Sequence, residues 1–236
     1  VGHQAQQYAQ MGHYSRWLRD QAPGLVERVP ERVNELKVTD LLGDAFLSPI
    51  PHELQYTGWL AERFIDWMEH QDGPFCAFVG FPGPHHAFAP SEDVWDRFQD
   101  APVREPVDFA GESLAGRPCF RRRIEFHPSV TLPQDIELAR TVRRLTSAMV
   151  WQIDQAVGRI LQSLEDAGAE ENTIIVFTSD HGDFLGDLGL LRKQTIADER
   201  LLHVPFIMRA PGWNLNALAD RPMSNADVLP TLAAMA

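Results

Sequence analysis

The chain has 236 residues, 33 of them acidic and 21 basic, a formal net charge of −12, with 44% hydrophobic and 23% charged side chains. That balance belongs to a globular protein and excludes collagen-like, low-complexity and disordered classes. The negative charge repels phosphate backbones, so no nucleic-acid partner is expected. No apolar run reaches the roughly 18–20 residues of a transmembrane segment. Cys76 and Cys119 make neither a CxxC pair nor a disulfide framework, so compartment and oligomeric state stay open.

In chain order, residues 8–20 read as a helix with Tyr14, Trp17 and Leu18 at helical spacing, ended by Pro23 and Gly24. Residues 25–55 are mixed, with Pro30, Pro49 and Pro51 as breakers. A second helix is expected from Thr57, as N-cap, to His70, with Leu60, Phe64, Trp67 and Met68 on one stripe. Phe75 to Phe81 is a short apolar run that suits a strand buried on both faces of a parallel sheet, with Cys76 in the core. It stops at Pro82-Gly83-Pro84, followed by His85-His86. Residues 87–133, with the basic cluster Arg121-Arg122-Arg123, read as a surface excursion. Residues 134–167 carry apolar side chains at three- and four-residue steps, with Gly168 as C-cap. Strands are expected at 174–179 and 205–209, and a helix begins near Asn225. The fold class is therefore α/β: a partial doubly wound sheet with helices on both faces.

In such sheets ligands bind beyond the carboxyl ends of strands. The 174–179 strand runs into Asp180-His181-Gly182-Asp183, and the 75–81 strand into His85-His86. Asp180 and His181 offer an oxygen and a nitrogen to one metal ion, Gly182 permitting the turn that brings both to it. The bland alternative is a helix-capping Asp beside a surface His. His85 is a candidate proton or hydrogen-bond donor, against a solvated loop histidine. Lys193, one of two lysines with Lys37, suits an anionic oxygen, against a surface ion pair.

The run Asn172-Thr173-Ile174-Ile175-Val176-Phe177-Thr178-Ser179-Asp180-His181-Gly182-Asp183 resembles the metal-binding strand of the sulfatases, in the alkaline phosphatase superfamily. Leu185-Gly186-Asp187, Lys193 and His203-Val204-Pro205 follow that family in order and spacing, and 52–86 and 134–236 carry the likeness best. The resemblance implies that Asp180 and His181 are ligands of a single divalent metal, that Lys193 contacts the sulfate or phosphate oxygens, and that His85 contacts the ester and assists the leaving group. Ala87 stands where the family has the proline of an H-x-P pattern, and Leu188 where relatives often carry His near the pocket rim. His181 is closer to the phosphonate monoester hydrolases and some choline-sulfatase-like members than to relatives with Asn. Calcium is the metal implied by the family, with manganese or magnesium as alternatives; the imidazole by itself leans towards manganese.

Neither cysteine lies in a C-x-P-x-R motif, the sequence that in sulfatases yields the formylglycine nucleophile. The resemblance therefore implies a formylglycine supplied by residues before Val1, a C-terminal subdomain beyond Ala236, and a partial catalytic domain over 1–236 with no turnover alone. The expected activity is metal-dependent hydrolysis of a small-molecule or saccharide sulfate ester. The alternatives are a phosphonate or phosphate diester hydrolase on the same scaffold, or a non-catalytic metal- or anion-binding domain.

Overall fold

The computed structural model describes residues 12–116, 135–193, 197–213 and 222–235. Among the described residues six helices, α1 (Gly12–Gln21), α2 (Leu25–Glu35), α3 (Tyr56–Glu69), α4 (Ile136–Asp166), α5 (Glu199–Leu202) and α6 (Val228–Met235), accompany two strands, β1 (Ile175–Thr178) and β2 (Phe206–Arg209). Short 3-10 turns join them.

The helix α4 is the spine. Its N-cap Asp135 accepts from the amides of Glu137 and Leu138, satisfying two donors that the first turn cannot pair internally. Its end is closed by Gly168, whose positive φ lets the Ala169 amide return to Leu164 O. On its buried stripe Leu138, Val142 and Leu145 pack with Ala45, Phe88 and Leu191 in one apolar cluster, and α3 lies against it. A second cluster joins α1 and α2 through Leu18, Val26, Val29 and Val33 to Phe46 and Ile50. A third gathers Phe184, Leu188, Leu190 and Leu201 beside the candidate site.

Several expectations are corrected. Pro30 does not break the chain but sits inside α2, where burial of three valines, each contributing about 1.5–3 kcal/mol, offsets the lost amide bond and ring clash. The helix α3 starts at Tyr56, because the Gln55 carbonyl already accepts the Trp59 amide, so Thr57 is not its cap. Residues 8–11 of the first expected helix, like Cys119 and Arg121–Arg123, lie outside the described residues.

Residues 75–81 form no strand, and Phe78 is 94% exposed. An apolar run becomes a strand only where a neighbour takes its amides and carbonyls, and among the described residues none lies beside it. Cys76 is accordingly exposed, not core. The described part of the 87–133 stretch is not wholly superficial: Phe88 and Ser91 are fully buried, and the Phe88 amide donates to Asp44 O. The two strands pair antiparallel, Ile175 opposite Arg209 and Thr178 opposite Phe206, and are not buried on both faces, Ile207 being 64% exposed. Among the described residues no helix is long and apolar enough to cross a membrane.

Candidate active site

The strand β1 ends at Thr178, whose hydroxyl donates to Pro205 O and ties it to the segment entering β2. The next residues turn sharply. Asp180 Oδ1 accepts the His181 amide at 2.9 Å, and Ser179 Oγ donates to His181 O at 3.0 Å. Asn225, at the head of the turn before α6, donates to Ser179 O at 2.9 Å. Gly182 then passes under α5, its amide donating to Leu201 O at 2.9 Å. A Cβ there would stand 2.0 Å from the Arg200 carbonyl oxygen, so only glycine fits.

This turn gathers the residues singled out in the sequence. His181 Nδ1 lies 2.7 Å from Gly182 O, so the proton sits on Nδ1 and Nε2 keeps the lone pair. Asp180 Oδ2 is 3.5 Å from that Nε2, and Lys193 Nζ donates to it at 2.6 Å. The lysine thus meets an imidazole, not the surface carboxylates its sequence neighbourhood suggested. The His85 ring stands edge-on to His181, centroids 6.5 Å apart, and stacks on His86 at 4.1 Å. Its Nδ1 is 2.6 Å from His86 O, which places a proton on Nδ1 and directs Nε2 away from that carbonyl. Asp180, His181, Lys193 and His85 therefore lie around one small region, although they come from two segments nearly a hundred residues apart.

The surrounding charges follow from burial. Desolvation pushes the His86 imidazole down to about 4, with the neighbouring His85 and Arg192 acting in the same direction, so His86 is neutral near pH 7. Desolvation also raises Asp183 above the ordinary carboxylate range, opposed by the amides of Leu185 and Arg192 and by the two nearby imidazoles. Leu188 is not a rim residue: it is buried in the third apolar cluster with φ 58°.

Behind the site, Asp187 is 3% exposed and accepts from Arg143 at 2.6 Å, from Arg200 at 3.1 Å and from the Val107 amide at 2.7 Å. This network binds the 183–192 loop to α4 and α5. The sequence offered no pointer to it, nor to the Arg192–Asp44 pair at 2.6 Å, because both depend on partners up to 148 residues away. Asn225 had only its place before an expected helix.

Asp180 and His181 are donor types that a divalent cation accepts. Asp180 supplies an exposed carboxylate and His181 an oriented lone-pair nitrogen on the same side. Among the described residues no group of three or more His, Cys, Asp or Glu side chains is placed to hold a metal ion. An open depression of about 390 Å³ between α3 and residues 76–80 contains none of the four candidates.

Residues 8–236 match the model of the Sulfatase family. An arylsulfatase of Clostridium perfringens is 29% identical over 193 residues, 76% of this chain and 38% of that protein. A choline-sulfatase of Rhizobium meliloti is 31% identical over 163 residues, 69% of this chain and 31% of that protein. The crystal structure of a phosphonate monoester hydrolase of Agrobacterium radiobacter superposes with a TM-score of 0.65 at 26% identity, over 84% of this chain and 41% of that one. The chain thus spans between 31% and 41% of the length of these relatives. Structural neighbours also include a putative sulfatase of Bacteroides thetaiotaomicron, with a TM-score of 0.56. They assign the chain to the α/β fold of the alkaline phosphatase superfamily.

Proposed function

The chain belongs to the sulfatase family, and from that premise we propose that it carries the anion-contacting part and half of the metal site of an enzyme that hydrolyses sulfate esters. The observation that carries this reading is the meeting at His181 of Asp180, 3.5 Å away, and Lys193, 2.6 Å away, with the His85 ring beside it. Ester cleavage concentrates negative charge on the non-bridging oxygens and on the departing oxygen. Lys193 sets a compact ammonium where the first of these would lie. His85, with Nδ1 committed to a carbonyl, presents Nε2 and when protonated donates from it to the leaving oxygen. Asp180 and His181 would hold one divalent ion, calcium first and manganese or magnesium next. Bound there, such an ion supplies Lewis-acid charge to the nucleophile and the ester oxygens. With the proton on Nδ1, His181 needs no change of tautomer to receive it, and Lys193 would withdraw from Nε2 as the ion enters.

The substrate is an aryl, small-molecule or saccharide sulfate. A second reading, phosphonate or phosphate diester hydrolysis, is favoured by His181 beside Asp180 and by the likeness to the phosphonate monoester hydrolase. The two are separated by comparing kcat/KM for 4-nitrophenyl sulfate and a phenylphosphonate monoester in the enzyme that carries this chain. Lys193→Ala is expected to reduce turnover of the preferred ester by about 10²–10³-fold, as loss of one charge-stabilising donor does, while leaving the Tm in place. Wild-type turnover in that variant removes Lys193 from the site.

A further inference from the structure

We propose that Asp183 and Arg192 are positioning residues that aim Lys193 at the reacting anion; this rests on the reading of Lys193 as the anion-contacting group. Lys193 is itself exposed, and its long flexible stem does not set its own direction. The direction is set one residue earlier. Arg192 has φ 64°, a left-handed conformation that costs a residue with a Cβ and persists only where neighbours enforce it. Three contacts enforce it here. Its amide donates to Asp183 Oδ1 at 2.8 Å, its carbonyl accepts the Phe184 amide at 3.2 Å, and its guanidinium reaches Asp44 Oδ2 at 2.6 Å.

Asp183 Oδ1 also takes the Leu185 amide at 2.9 Å, so one half-buried carboxylate closes the loop 183–192 on itself. Asp183 is two residues from His181, and Arg192 is next to Lys193. The same clasp therefore fixes the spacing between the His181 nitrogen and the Lys193 ammonium, 2.6 Å across the gap. Glycine would take this φ without strain but could not reach Asp44. The arginine adds an anchor to a segment otherwise 148 residues away in sequence.

The test uses the enzyme carrying this chain, labelled with lysine enriched in 13C at Cε, the Lys193 resonance being identified by its loss in Lys193→Arg. In Asp183→Ala the Lys193 resonance is expected to move towards that of a solvated lysine, and turnover of a sulfate ester to fall on the order of 10²-fold, as a misplacement near 1 Å does. Asp183→Asn, which keeps an acceptor oxygen for both amides, is expected to retain the wild-type Lys193 resonance and to recover the lost turnover. A Tm lowered in Asp183→Ala with the Lys193 resonance unmoved overturns the proposal, because the clasp is then structural only. If Asp183→Ala does not fold, Asp183→Asn decides: a displaced Lys193 resonance there overturns it, a retained one supports it. The resonance reads the clasp whether or not the wild-type enzyme cleaves sulfate, so failure of the functional reading is seen separately.

Discussion

Gly182→Ala is the most direct probe of how α5 shapes the candidate site. The new methyl would stand 2.0 Å from Arg200 O and 3.1 Å from its carbonyl carbon, both backbone atoms that no rotamer change can move. Restoring ordinary contact needs the two segments to part by about 1.4 Å. Parting them also breaks the Gly182 amide bond to Leu201 O. Overpacking of this kind costs about 1–3 kcal/mol, and the broken hydrogen bond adds about 1 kcal/mol. Because His181 immediately precedes Gly182, the displacement reaches the oriented imidazole, and turnover is expected to fall by about 10²-fold. Gly158→Ala is the matched control: it lies exposed on α4 with nothing within 4 Å of its added methyl. That change is expected to stabilise by about 1 kcal/mol through helix propensity and to leave turnover alone. Thermal unfolding and kcat/KM for an aryl sulfate are measured for both variants. A Gly182→Ala enzyme with wild-type Tm and turnover would show that α5 does not seat on the loop as described, and the reasoning would fail.

Asp187→Ala leaves Arg143 buried without its carboxylate, and the expected loss in urea denaturation is about 3–5 kcal/mol; a loss under about 1 kcal/mol would mean that the pair is no more than a surface contact. For His86 the folded pKa of about 4 lies below the ordinary 6.5, so the unfolded chain binds more protons between those values. Stability is therefore expected to be complete above about 6.5 and to decline as pH falls towards 4, with a shallower decline in His86→Gln; identical Tm–pH curves would refute the burial argument. Chelation of divalent ions is expected to abolish ester hydrolysis by the enzyme carrying this chain, with recovery on adding calcium or manganese. Undiminished turnover in excess chelator would remove Asp180 and His181 from a metal role.

Much of this was legible in the sequence. The period of α4, its Gly168 stop and the strand leading to Asp180 are patterns carried within one segment. The order Asp180, His181, Lys193, with His85 upstream, pointed to one chemistry before any distance was known. Residues 75–81 show the limit of that reasoning. Their apolarity predicts a strand, but a strand is defined by the neighbour that receives its hydrogen bonds, and the sequence does not say which segment lies alongside.

The sequence by itself determined α1, α3, α4 and α6, the family likeness and the candidate groups, because these depend on residue type and on spacing within one segment. Only the tertiary structure decided that Lys193 meets His181 and not a carboxylate. Only it revealed that Gly182 must be glycine for the sake of Arg200, and that Asp187 and Arg192 brace the loop between them. Each of these is a contact between segments, and its geometry follows from how α4, α5 and the 44–48 segment pack against one another.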